Sequence, residues 1–337
     1  MSIADGNDET ATIRKIHTVL TLHFIEGMKQ SEIAARLNLS TSKVNRLIRQ
    51  GRELGMVRIS IDAGPFQRLV DMERALALTT GLGKVVVTPS LPGNPDTNLQ
   101  VVGRAAANEL LETIRDGDVI AITGGKAVSA IVENIAPDRA FDVTVVPLTG
   151  GVQGKYYTDV NHLATQLADK LGGSAVLLHA PLFAESREQR DTLMEVGSIR
   201  QVLDLARRAQ VALVGIGSIA TEGSSYYDLV PNSERELLLN GDAGGEFLAH
   251  LIRDDGSVAD SPLNSRLVAL NPAELATCPK TIGVAVGPEK VRPIRAALAG
   301  GLISSLIVDE ETASSVQAST EATSGAPFEA STEQEVK

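Results

Sequence analysis

The sequence predicts an α/β protein: an N-terminal helix-turn-helix domain followed by a doubly wound, mostly parallel α/β domain. Three observations predict this. The segment Gln30–Arg49 spaces its apolar residues as two short helices joined by a tight turn. From Lys84 onward, short aliphatic runs alternate with amphipathic helical stretches, the rhythm of a parallel sheet covered on both faces. Charge is partitioned between the two regions. Residues 11–61 carry nine Lys or Arg against three Glu, a net +6, while the whole chain is −11, which leaves −17 elsewhere. A basic module joined to an acidic body is a nucleic-acid signature, because phosphates attract only the basic part.

Composition bounds the rest. A chain of 337 residues suits two folded units at about 100–200 residues each. Hydrophobic residues make up 43% but aromatics only 3%, so the cores must be aliphatic. No run reaches about 18 apolar residues, the length a membrane helix needs, so no membrane partner is expected. The opening MSIADGNDET is polar and acidic, unlike a secretory signal. The single cysteine, Cys278, has no partner for an intramolecular disulfide. These features lead us to expect a cytoplasmic protein.

Taken in order, residues 1–10 read as disordered. Ile13, Ile16, Leu20 and Phe24 predict a first helix over 12–26, ended by Gly27. Ser31 is placed to cap a second helix that runs to about Leu37, and Thr41 to about Leu54 forms a third. Gly55 breaks it, and 56–61 alternates as a short strand or wing. The DNA-binding domain so defined spans 11–61. Residues 62–83 are a linker (Asp62 to Pro65) and a connecting helix from about Phe66 to Leu78. The second domain spans 84–311. The tail, 312–337, is rich in Ser, Thr, Ala and Glu and reads as disordered.

Within the helix-turn-helix, Ala34 is small where two helices approach, and Asn38 sits at a turn that favours a left-handed backbone. Ile33, Leu37, Leu39, Val44, Leu47 and Ile48 form the shared core, and Ser40 caps the second helix. The remaining face shows Thr41, Ser42, Lys43, Asn45, Arg46 and Arg49. In such motifs the start of this helix enters the major groove of double-stranded DNA. Arg pairs with guanine and Asn with adenine, so Ser42, Asn45 and Arg46 are the candidates for base contacts. Lys43, Arg49 and the helix start at Ser31 are the candidates for phosphate contacts.

In the second domain the aliphatic runs are 85–87, 119–122, 143–146, 175–178, 211–214, 282–286 and 306–308. Several end in glycine, at Gly124-Gly125, Gly150-Gly151, Gly215 to Gly217 and Gly287. Ligands of doubly wound folds bind at the carboxyl ends of the strands, so these glycines mark a pocket rim.

The helix-turn-helix followed by Leu-Gly-Met-Val-Arg-Ile (54–59) resembles the SorC type (SorC/DeoR) of sugar-responsive transcriptional regulator. The resemblance continues through Ala121-Ile-Thr-Gly-Gly, Val146-Pro-Leu-Thr-Gly-Gly, His179-Ala-Pro-Leu and Leu213-Val-Gly-Ile-Gly-Ser. It extends to Val284-Ala-Val-Gly-Pro-Glu-Lys and Gly300-Gly-Leu-Ile-Ser-Ser-Leu-Ile-Val-Asp-Glu, covering about residues 12–312. It implies an effector domain related to ribose-5-phosphate isomerase and glucosamine-6-phosphate deaminase, a sugar or phosphosugar effector, and assembly into homodimers or homotetramers. The implied pocket takes Gly124, Gly125, Lys126 and Ala127 from one loop and Thr149, Gly150 and Gly151 from a second. Asp159, Asn161, Glu246 and Lys290 complete it. Members that bind phosphosugars often carry Thr or Ser after the first Gly-Gly; Lys126-Ala127 here offers a point charge instead.

Catalytic motifs are lacking. No two histidines stand at a metal-ligand spacing such as i, i+4, so no metal is expected. Walker A and G-x-S-x-G sequences are absent, and Gly215-Ile-Gly does not complete a dinucleotide fingerprint, since position 220 is Ala. We therefore expect no cofactor and a regulator rather than an enzyme. The alternative is a sugar-phosphate isomerase or deaminase bearing a DNA-binding arm, because fold kinship does not by itself exclude catalysis.

Overall fold

The computed structural model describes residues 3–57, 67–152, 159–219, 225–230, 234–239 and 241–324. The chain divides into two units, Met1–Phe66 and Gln67–Lys337.

The first unit is helical. Helix α1 (Ile3–Leu20) runs on into one π-helical turn, Thr21–Ile25, and is followed by α2 (Gln30–Arg36) and α3 (Thr41–Glu53). Ile16, Val19, Leu20, Leu22, Ile33, Val44, Leu47 and Ile48 close the core between them. Burying each such side chain contributes about 1.5–3 kcal/mol. Ile13, expected in that core, is 45% exposed, and Val19 takes the buried place. The expected disorder of residues 1–10 is also corrected from Ile3 onward: the main chain there is helical. An acidic, proline-free segment is a favourable helix start. Asn38 has φ of +52°, the left-handed turn anticipated for it. The Ser40 hydroxyl accepts the Lys43 N–H at 3.2 Å, capping α3. Ser31 caps nothing, because α2 begins one residue before it. The Glu32 carboxylate instead accepts the Lys29 N–H at 2.8 Å. The expected wing and linker, from residue 58 to 66, lie outside the described residues.

The second unit opens with α4 (Gln67–Thr80) and then alternates strands and helices. The strands are β1 (Lys84–Thr88), β2 (Val119–Ile122), β3 (Thr144–Pro147), β4 (Ser174–Ala175), β5 (Val211–Gly217), β6 (Ala243–Phe247), β7 (His250–Arg253), β8 (Lys280–Ala285) and β9 (Ser305–Asp309). The helices after α4 are α5 (Pro95–Thr113), α6 (Lys126–Asn134), α7 (Val160–Leu171), α8 (Arg187–Glu195), α9 (Gly197–Ala206), α10 (Ser225–Leu229), α11 (Glu236–Leu239), α12 (Pro262–Ser265), α13 (Pro272–Leu275), α14 (Val291–Ala299) and α15 (Glu310–Ser324).

Seven strands form a parallel sheet in the order β1-β9-β8-β5-β2-β3-β4. Its main core joins Ile120, Ile122, Val145, Leu213, Ile282 and Val284 of the strands to Val102 and Leu110 of α5, Ile131 of α6 and Leu163 and Leu167 of α7. The chain steps outward from β2 to β3 and β4, then returns to build β5 and β8 on the other side of β2. The switch point of the sheet therefore lies between β2 and β5. Thr123 ties the two strand ends together: its N–H donates to Leu213 O (3.2 Å), and its hydroxyl accepts the Gly215 N–H (3.3 Å).

Three elements depart from expectation. Of the run 175–178 only Ala175 pairs in the ladder, with Ser174 before it. An antiparallel hairpin, β6–β7, extends the end of β5 through Ile216↔Phe247 and Gly217↔Glu246. The expected tail from residue 312 is helical to Ser324, because Thr312, Ala313 and Val316 are fully buried on one side of α15. Small side chains at i, i+1 and i+4 are enough when the helix docks closely. Residues 325–337 lie outside the described residues. Helix α4 is bound into this unit: the Glu73 carboxylate accepts the Val87 N–H at 2.8 Å, and Arg68 pairs with Glu310 at 2.6 Å.

Candidate functional sites

Each unit presents one candidate site. On α3, Val44, Leu47 and Ile48 are buried, and this fixes the rotation of the helix. Thr41, Ser42, Asn45, Arg46 and Arg49 are consequently exposed, with Lys43 half-buried. Arg49 is drawn along the helix toward Glu53 at 3.7 Å, and Ser42, Asn45 and Arg46 form the polar edge of the N-terminal half, with no side-chain partner among the described residues. Ser31 is exposed on α2.

In the second unit a cavity of about 380 Å³ opens at the carboxyl ends of β2, β5, β8 and β9. Its floor is Gly215 to Gly217 and Val284 to Gly287; its walls are the starts of α5 and α6, with Asp309 at the end of β9. Gly125, with φ of +118° and ψ of 163°, is the N-cap of α6, a backbone shape that a side chain would strain. The start of α6 lines the cavity wall, and a helix start favours an anion. Gly124, Gly125, Lys126, Ala127, Glu246 and Lys290 all line this cavity.

Thr149 and Gly150 line a smaller adjoining cavity of about 50 Å³. Gly151, Asp159 and Asn161 are not brought to either; they border a separate open depression with His179 and Phe183. Both polar side chains there hold main chain. The Asp159 carboxylate caps α7, accepting N–H groups of Asn161 (3.1 Å) and His162 (3.3 Å). The Asn161 amide exchanges two hydrogen bonds of 3.0 Å with the backbone of Leu178.

Two ionisable groups, Glu246 and Lys290, line the main cavity. Burial pushes the Glu246 carboxyl up to about 7, against the Ala249 N–H and the Lys290 charge, which hold it down. Burial also lowers the Lys290 ammonium. Sequence reasoning missed Asp96, Tyr226, Glu289, Asp309 and Glu311 in the lining. Asp309 alone carried a signal, standing at the end of an aliphatic run. It accepts from Ser90 Oγ at 2.8 Å and from the Thr312 hydroxyl.

No helix among the described residues is long and apolar enough to cross a membrane. Residues 64–317 match the family described as "Putative sugar-binding domain", and residues 17–54 match sigma-70 region 4. The chain is 32% identical over 314 residues to the erythritol catabolism regulatory protein EryD of Brucella abortus, covering 92% of this chain and 97% of that one. It is 29% identical over 306 residues to the sorbitol operon regulator of Klebsiella pneumoniae, covering 89% and 96%. The crystal structure of full-length SorC from Klebsiella pneumoniae superposes with a TM-score of 0.75 at 26% identity, over 90% of this chain and 98% of that one. With a helix-turn-helix ahead of a parallel sheet and a cavity at its switch point, this chain belongs to the SorC family of sugar-binding transcriptional regulators.

Proposed function

We propose that the protein binds an operator in double-stranded DNA through α3 and that a small sugar or phosphosugar in the second unit sets its affinity for that operator. The observation that carries this reading is the cavity at the β2/β5 switch point. A helix start with Lys126 and Lys290 supplies an anion anchor, and Glu246 supplies an acceptor for hydroxyl groups. Gly124, Gly125, Ala127, Thr149 and Gly150 shape its rim; Gly151, Asp159 and Asn161 support the neighbouring loop. On α3, Ser42, Asn45 and Arg46 contact bases and Thr41 adds a contact to the DNA, while Lys43 and Arg49, with Ser31 on α2, contact phosphates.

The protein works as a homodimer or homotetramer in the cytoplasm. Two-fold symmetry presents paired recognition helices to half-sites about one helical turn, or a multiple, apart. Effector and DNA are coupled by linkage: each favours one arrangement of the oligomer, so each alters the affinity for the other. We read the chain as a binder, not an enzyme. Selection of bound DNA from a random pool, with and without candidate sugars and sugar phosphates, tests all of this. A palindromic consensus whose yield changes with one sugar is the expected result. Recovery of no enriched sequence overturns the DNA reading, and identical enrichment with every sugar overturns the effector reading.

A further inference from the structure

The two cavities of the second unit meet at a pair of side chains. Tyr226 and Glu246 belong to the walls of both, as do Thr123, Gly124 and Gly125. Tyr226 is only 2% exposed, and its hydroxyl has no hydrogen-bond partner among the described residues. A buried hydroxyl left unpaired is a standing cost to the fold, one that a ligand atom at that point relieves. Burial, reinforced by the Glu246 charge, raises the phenol above its ordinary value, so it remains a donor at any physiological pH. Glu246 Oε1 is already engaged by the Ala249 N–H at 2.5 Å. Its Oε2 lies on the side facing Gly217 and takes no hydrogen bond from a described residue.

A donor and an acceptor thus stand together where the larger cavity opens into the smaller. A ligand group that satisfies both must accept one hydrogen bond and give one. An alcohol hydroxyl does this. With Glu246 ionised, above about pH 7, a carbonyl oxygen has no proton to give it, and a carboxylate brings a second negative charge beside it. The smaller cavity, at about 50 Å³, has room for a hydroxymethyl group.

We propose that Tyr226 and Glu246 form a hydroxyl-selective subsite, which admits an alcohol end of the effector into the smaller cavity and rejects a carboxylate there. The inference rests on the sugar-effector reading and adds the chemistry of the end remote from the anion anchor.

Thermal-shift and calorimetric titration of the full-length protein at pH 8, where Glu246 is ionised, test it, with sorbitol 6-phosphate, glucose 6-phosphate, 6-phosphogluconate, erythritol 4-phosphate and ribose 5-phosphate as probes. Sorbitol 6-phosphate and 6-phosphogluconate differ at the end remote from phosphate, hydroxymethyl against carboxylate. We expect an alcohol-ended probe to bind wild type and 6-phosphogluconate to bind at least about tenfold more weakly. Tyr226→Phe should lose about tenfold in affinity for the alcohol-ended probe while its ligand-free melting temperature stays equal or rises, since an unpaired buried hydroxyl is removed. A merely structural tyrosine would lower that temperature. Equal affinity of Tyr226→Phe and wild type overturns the subsite and leaves the sugar effector standing. So does 6-phosphogluconate binding as tightly as sorbitol 6-phosphate. A wild-type protein that answers none of the five, nor sorbitol or erythritol without phosphate, overturns both readings.

Discussion

Gly217 stands opposite Glu246 in the antiparallel β5–β6 pairing, and a Cβ added to it would lie 2.0 Å from a Glu246 carboxylate oxygen. The glycine is what lets that carboxylate lie across the end of β5. Gly217→Ala should therefore swing the side chain aside, since its far end can move where backbone cannot. We expect a stability loss of only about 1–2 kcal/mol but a fall of about tenfold or more in effector affinity. Chemical denaturation and ligand titration on one preparation separate the two effects.

Glu246 and His250 pull stability in opposite directions with pH. The Glu246 carboxyl rises from 4.5 to about 7 on folding, so the native state holds a proton that the unfolded chain has released. That contribution is complete below pH 4.5 and lost as pH rises through 7. His250, 5% exposed, is lowered from 6.5 to about 4, chiefly by burial. The unfolded chain gains that proton first, so stability falls as pH drops from 6.5 to 4. Each effect is on the order of 3 kcal/mol, and they offset one another between about pH 4.5 and 6.5. Wild type should show a flat profile there and decline toward pH 7.5. Glu246→Gln should rise steadily from pH 4 to 6.5 and exceed wild type above pH 7. Melting temperatures across pH 4–8 decide; parallel profiles for the two proteins would refute the assignment.

On α3, Arg46→Ala should weaken specific binding by about 1–3 kcal/mol and relax preference at one base pair. Lys43→Ala should weaken binding evenly across sequences and lower the salt slope by about 1. Mobility shifts at several salt concentrations, on the operator and on one mutated at single positions, distinguish the two.

The turn between α2 and α3 depends on Asn38 in the left-handed region and on the Ser40 cap. Asn38→Gly should be nearly neutral, whereas Asn38→Val should cost about 1–2 kcal/mol. Ser40→Ala should cost about 1 kcal/mol. Calorimetry reads both, and DNA affinity at low temperature should survive Ser40→Ala.

The parallel sheet was legible because a strand covered on both faces must be aliphatic throughout, as Val119–Ile122 and Val211–Val214 are. The cavity was legible because Gly124-Gly125 and Gly215 to Gly217 follow such runs. The β6–β7 hairpin was not: Ala-Gly-Gly-Glu-Phe has no β-branched residue, and its pairing to β5 comes from tertiary contact alone. Tyr226 was invisible for the same reason, as one of two adjacent tyrosines in a polar stretch that only folding brings to Glu246. Asp159 and Asn161 look like ligands by composition, yet their hydrogen bonds go to backbone. Helix α15 escaped notice because its buried side is built of Thr312, Ala313 and Val316, too small to register as an amphipathic pattern.

Helix α4, held by Glu73 to β1 and by Arg68 to α15, travels with the sheet. Modularity follows from that anchorage. The natural exchange point of this protein precedes Gln67, and a foreign DNA reader joined there would inherit the sensor intact. A graft made after Thr80 would instead strip a stave from the barrel of contacts around β1 and leave the sensor to be rebuilt.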